Sequence, residues 1–109
     1  MQALRYGHER IAVYLLELNY DPNTSDNFGS TPLFDAKTVY MIELLIKNGA
    51  DVNTVNVFGS TPLHIYYTSG FMEGVSYLLQ NGADPSIINN KGMSVEMMAK
   101  EDGINLDEL

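Results

Sequence analysis

The sequence predicts an all-α fold, a solenoid of stacked helix-turn-helix units within one domain of 109 residues. Three observations carry that prediction. The hexapeptide FGSTPL stands at Phe28–Leu33 and again at Phe58–Leu63, 30 positions further on. The tetrapeptide NGAD follows each copy, at Asn48–Asp51 and at Asn81–Asp84. Between the two signals, apolar residues recur at helical spacing: Val39, Ile42, Leu45 and Ile46 after the first copy, Met72, Val75, Leu78 and Leu79 after the second. A short helix pair cannot bury its apolar face alone, and stacking neighbours against it solves that.

Each unit begins with a helix start. Thr31 and Thr61 are suited to the N-cap, and Pro32 and Pro62 follow at the first helical position, where a missing N–H costs nothing. A short helix follows each proline. The second helices are TVYMIELLIKNG and FMEGVSYLLQNG, closed by Gly49 and Gly82 where a helix end takes a left-handed residue. The stretches ADVNTVNVFG and ADPSIINNKG then read as extended turns leading into the next unit.

The segments GSTPLH, LLIKNGADVN and LLQNGAD resemble the ankyrin repeat, whose usual length is about 33 residues. The resemblance covers nearly the whole chain. It implies a solenoid with protruding turn or β-hairpin fingers, two full repeats and partial or capping repeats at each end. The implied divisions are a partial N-terminal repeat over 1–26, a shortened repeat over 27–55, a full repeat over 56–88 and a C-terminal capping repeat over 89–109. In the first, Gly7-His8 resembles the inter-helix turn, Ile11 to Leu18 the second helix and Asp21-Pro22-Asn23 the exit. The turn and capping half of that unit is missing, as in a piece of a longer array or a cut-down cap. In the last, Ser94 stands at the threonine position and Val95 at the proline position, while Glu96 replaces a buried leucine and so predicts solvent on that side. Gly103–Leu109 is too short for a stable helix of its own.

The two full copies differ in one respect. Gly29 to Gly49 spans 20 positions and Gly59 to Gly82 spans 23, so three residues are missing around Ala36–Thr38. A shortened first helix and a very tight turn are expected there. The next repeat carries Tyr66 and Tyr67 where the ankyrin pattern has two alanines. In a regular stack these rings would overfill the core at about 1–3 kcal/mol. Either the shortened repeat leaves space that at least one ring fills, or the rings form an aromatic patch for a partner.

Composition narrows the function. Fourteen acidic residues against six basic ones give a formal charge of −8, which disfavours phosphate-directed nucleic-acid binding and would steer a basic protein partner. No apolar run approaches the roughly 20 residues that cross a bilayer. The polar start MQALRYGHER does not read as a secretory signal, so a cytoplasmic or nuclear location is expected. On the same ground the sequon Asn23-Thr24-Ser25 and the loosely retention-like LDEL tail are expected to be unused. The absence of cysteine removes disulfides, thiolate metal sites and thiol nucleophiles.

No catalytic constellation is legible. His8 and His64 lie 56 positions apart, and no HExxH, EF-hand spacing or phosphate-cradling glycine loop occurs. His64 stands where the ankyrin resemblance places a capping histidine bonded to turn backbone and to the threonine. Asn23 and Asn53 stand where asparaginyl hydroxylases modify some ankyrin domains. No enzyme activity, cofactor, metal or small-molecule substrate is expected, and no membrane.

The resemblance implies that a protein partner binds the concave side, formed by finger tips and first helices. The candidate contacts are Asn27, Phe28 and Ser30, Val57, Phe58 and Ser60, Tyr67, and Lys91. Phe28 and Phe58 would project about one repeat apart, either as binding anchors or packed between fingers. Three functions follow: an interaction module, a dedicated acidic inhibitor or immunity protein blocking a basic enzyme or toxin, and a structural segment of a longer ankyrin protein.

Overall fold

A computed structural model describes residues 21–109. The expected N-terminal partial repeat, with its Gly7-His8 turn and Ile11–Leu18 helix, lies outside the described residues apart from its exit at Asp21–Asn23. Five α-helices follow in chain order: α1 Pro32–Asp35, α2 Val39–Lys47, α3 Pro62–Ser69, α4 Met72–Gln80 and α5 Val95–Glu101, with a 3₁₀ turn at Leu106–Glu108. The first helices form one row, with α1 against α3 and α3 against α5. The second helices form another, α2 against α4. Among the described residues no strand forms, so the expected fingers are turns and not β-hairpins.

The core lies between the rows. Leu33, Ile42, Leu45, Leu63, Val75, Leu78, Val95 and Ala99 are buried there; of the positions that the helical spacing selected, Ile42, Leu45, Val75 and Leu78 are buried, while Val39, Ile46, Met72 and Leu79 are half-buried. Gly49 and Gly82 hold φ of 94° and 93°, so both second helices stop in the same left-handed residue that disfavours a side chain. In the cap, Ser94 accepts from Met97 N–H at 3.1 Å, Val95 is buried and Glu96 is exposed.

The first helix of the irregular repeat has four residues, against eight in α3. The connector departs from the expected tight turn. Ala36–Thr38 is three residues long, one more than the two between α3 and α4, and Ala36 is extended at φ −63°, ψ 133°. The deficit falls on helix length because α2 keeps its own start: Thr38 accepts from Met41 N–H at 3.1 Å. Thr31 is a second departure. It has N-cap geometry but its side chain makes no capping bond, whereas Thr61 accepts from His64 N–H at 3.3 Å.

Tyr66 occupies the space beside the short helix. It is 1% exposed, and its hydroxyl donates to the Leu33 carbonyl. A regular helix would offer that carbonyl the N–H of residue 37, but α1 has already ended, leaving only a long 3.4 Å contact from Ala36 N–H. The Tyr66 ring tilts against Phe71 with centroids 5.2 Å apart. Gly74 leaves room for both rings, since a Cβ there would come within 2.6 Å of Phe71 and 2.9 Å of Tyr66.

Candidate functional site

The finger surface is built from one device used three times. Asp26, Asn56 and Asn89 each open a four-residue turn and close it with their own side chains. Asp26 Oδ1 accepts from Phe28 and Ser30 N–H, both at 2.9 Å. Asn56 Oδ1 accepts from Phe58 and Ser60 N–H at 2.9 and 3.1 Å, and Asn89 Oδ1 from Lys91 and Met93 N–H at 2.9 and 3.1 Å. Backbone bonds repeat the pattern, with the N–H of Gly29, Gly59 and Gly92 donating to the carbonyls of Asp26, Asn56 and Asn89. This closure was missed in the sequence. Its signal is an Asp or Asn three positions before each turn glycine, a residue type whose side chain bonds backbone two residues on.

Because closure uses the first residue and the main chain, the second and third side chains are left for display. Asn27 and Phe28, Val57 and Phe58, and Lys91 are all exposed, with Phe28 at 60% and Phe58 at 59%. Ser30 and Ser60 are half-buried at the finger bases beside the N-cap threonines. Tyr67 does not belong with them. It is 9% exposed, and its hydroxyl donates to Asp102 at 2.5 Å, tying α3 to the end of α5. Burial, then the hydrogen bond and charge of Asp102, push its hydroxyl up to about 12. Its ring thus lies inside the stack against the end of α5 and is not displayed with the other candidate contacts.

Successive fingers are joined edge to edge. Val57 N–H donates to the Phe28 carbonyl and Asn90 N–H to the Phe58 carbonyl, each at 2.9 Å, and Asn90 Nδ2 donates to the Val57 carbonyl at 3.0 Å. Below the fingers, Asn23 and Asn53 stitch consecutive exits. Asn23 Nδ2 donates to the Gly49 carbonyl at 2.9 Å while its Oδ1 accepts from Asp51 N–H at 2.8 Å. Asn53 makes the same pair with Gly82 and Asp84 at 3.1 and 2.8 Å.

His64 is 2% exposed and structural. Its Nδ1 accepts from Thr61 N–H at 3.0 Å, which places the proton on Nε2, and Nε2 donates to the Met93 carbonyl at 3.0 Å. The ring thereby pins the start of α3 to the third finger. Among the described residues no three His, Cys, Asp or Glu side chains are grouped to hold a metal ion, and no helix is long and apolar enough to cross a membrane. An open groove of about 440 Å³ lies on the second-helix side, lined by Val39, Met72, Ser76 and Tyr77 among others, away from the fingers.

Helix pairs, closed turns and exits repeated in this register define a class, and comparison with known proteins identifies it. The family model for ankyrin repeats (3 copies) matches residues 1–89 and 36–105, and the chain belongs to the ankyrin repeat family. Ankyrin repeats are generally protein-interaction modules, typically non-catalytic. The chain is similar to BCL-6 corepressor-like protein 1 of Homo sapiens, with 30% identity over 105 residues, covering 93% of this chain and 6% of that protein. It thus spans a small fraction of the relative's length.

Proposed function

We propose that this chain is a non-catalytic interaction module that holds a protein partner on its concave finger and palm surface. The observation that carries the reading is the pair Phe28 and Phe58, each about three-fifths exposed at equivalent tips of turns that close without them. Large aromatics held on rigid turns lose little entropy on binding and are favoured anchors. Asn27, Val57 and Lys91 extend the surface on the same tips, with Ser30 and Ser60 at its base.

The test is affinity capture from the native host with the wild type and with Phe28→Ser/Phe58→Ser. Circular dichroism and the melting temperature establish that the double variant folds. A protein recovered by the wild type and lost with the folded variant supports the reading. Equal recovery with the folded variant overturns it, and loss of folding assigns the rings to packing between fingers.

A second reading is a dedicated inhibitor of a basic enzyme or toxin, favoured by the charge of −8. It requires affinity that falls steeply with salt. A third is a structural segment of a longer protein, which the 6% share of the human relative favours. That relative's corepressor-like name makes the nucleus a location to examine alongside the cytoplasm.

A further inference from the structure

The three fingers form a ladder whose rungs are all alike, and its two outer edges match each other. Each inner edge shows how a finger is covered. At Gly29 a Cβ would lie 3.2 Å from Asn56 Cα and 3.3 Å from Val57 N, and at Gly59 it would lie 2.7 Å from Asn90 Oδ1 and 3.1 Å from Asn90 N. The following finger thus rests directly on the preceding glycine and donates one N–H to the carbonyl just before it.

The third finger presents the same edge uncovered. A Cβ at Gly92 meets nothing within 4 Å, and the Lys91 and Asn90 carbonyls accept no hydrogen bond among the described residues. The first finger presents the matching donor edge. Asn27 stands where Val57 and Asn90 stand, and neither its N–H nor its side-chain amide has a partner among the described residues. Asn27 is also the same residue type as Asn90, whose amide makes the second inter-finger bond to a carbonyl.

We propose that the occupant of the Lys91–Gly92 edge is the first finger of a second copy of this chain. Asn27 N–H of one copy donates to the Lys91 carbonyl of the other, and Asn27 Nδ2 to the Asn90 carbonyl, continuing the ladder across molecules. Donor and acceptor edges lie at opposite ends, so the contact is head-to-tail and each added copy exposes another acceptor edge. Each copy carries −8, so repulsion opposes the contact and salt strengthens it by screening. The contact uses the main chain of Asn27 and Lys91 and the Asn27 amide, so it borders the tip surface proposed for partner proteins but involves neither Phe28 nor Phe58.

Sedimentation velocity of the full chain, up to about 1 mM in low and high salt, reads the association. The weight-average sedimentation coefficient is expected to climb with concentration, more steeply in high salt, without levelling at a dimer. Asn27→Pro deletes the donor N–H at a turn position that accepts proline and leaves the acceptor edge intact. It is expected to stay monomeric alone and, in excess, to reduce wild-type assemblies to dimers. A wild type that is monomeric throughout overturns the proposal, as does Asn27→Pro associating like the wild type.

Should Asn27→Pro fail to fold, the chain's lack of cysteine allows a second measurement. Oxidised mixtures of Asn27→Cys and Lys91→Cys should give at least ten-fold more disulfide dimer than either variant alone. Equal yields overturn the head-to-tail arrangement.

Discussion

Tyr66→Phe removes one oxygen and tests why the irregular repeat holds together. The Tyr66 hydroxyl supplies the short bond to the Leu33 carbonyl, which α1 ends too early to satisfy within the helix. Leu33 is fully buried, so water does not readily replace the lost donor. An orphaned buried acceptor costs about 1–3 kcal/mol. In a domain of this size that is a fall in melting temperature of about 4–8 °C for each kcal/mol. Tyr66→Ala removes the ring as well, and truncating a buried aromatic costs about 3–5 kcal/mol. Against a total stability of about 5–15 kcal/mol, that variant approaches unfolding at room temperature. Urea unfolding followed by circular dichroism, with the slope held common, measures both. If Tyr66→Phe unfolds at the wild-type midpoint, the carbonyl does not depend on the hydroxyl. If Tyr66→Ala does too, the ring does not fill the core and the account of the shortened helix fails.

Two further predictions concern the fingers and the buried hydroxyls. Asn56→Ala deletes both side-chain bonds that close the second finger and should lower stability by about 1–2 kcal/mol, while Asn56→Asp should match the wild type because Asp26 closes the first finger. Thermal melts of the two variants check this, and equal losses would refute it. Tyr66 is held above the ordinary tyrosine value of 10.0 by burial and then by the charge of Asp35, and Tyr67 is pushed up to about 12. The unfolded chain therefore gives up these protons first, so stability is full below about pH 10 and falls as pH rises through 12. Urea midpoints across that window should fall for the wild type and fall less for Tyr67→Phe.

Most of the fold was legible because ankyrin units advertise their boundaries. Pro62 and Gly82 mark one start and one stop with residues that few other positions favour, and the apolar spacing between them fixes the buried face. The three-residue deficit was legible as a count, and the shortened α1 with it, but the untightened connector was not. Whether Ala36–Thr38 tightens or α1 shortens depends on α2 retaining its Thr38 cap, a contest between local terms that spacing does not rank. The inward turn of Tyr67 is tied to Asp102, 35 positions away, a partner that local spacing does not reveal. Finger closure was hidden for another reason. Asp26, Asn56 and Asn89 differ in type and in spacing, so they do not register as a repeat until their common distance to a glycine is noticed.

The bond from Tyr66 to Leu33 has a consequence for how such a chain can change length. Regular repeat arrays grow and shrink by copying or losing whole units, since every junction is like every other. Here the junction is bespoke: the hydroxyl belongs to one unit and the carbonyl it completes to the unit before. Excising the second unit strands the carbonyl, and duplicating it sets a tyrosine against a full-length helix with no gap to receive it. Repeat number across this junction is therefore locked, and an insertion or deletion survives only with a compensating change at residue 66.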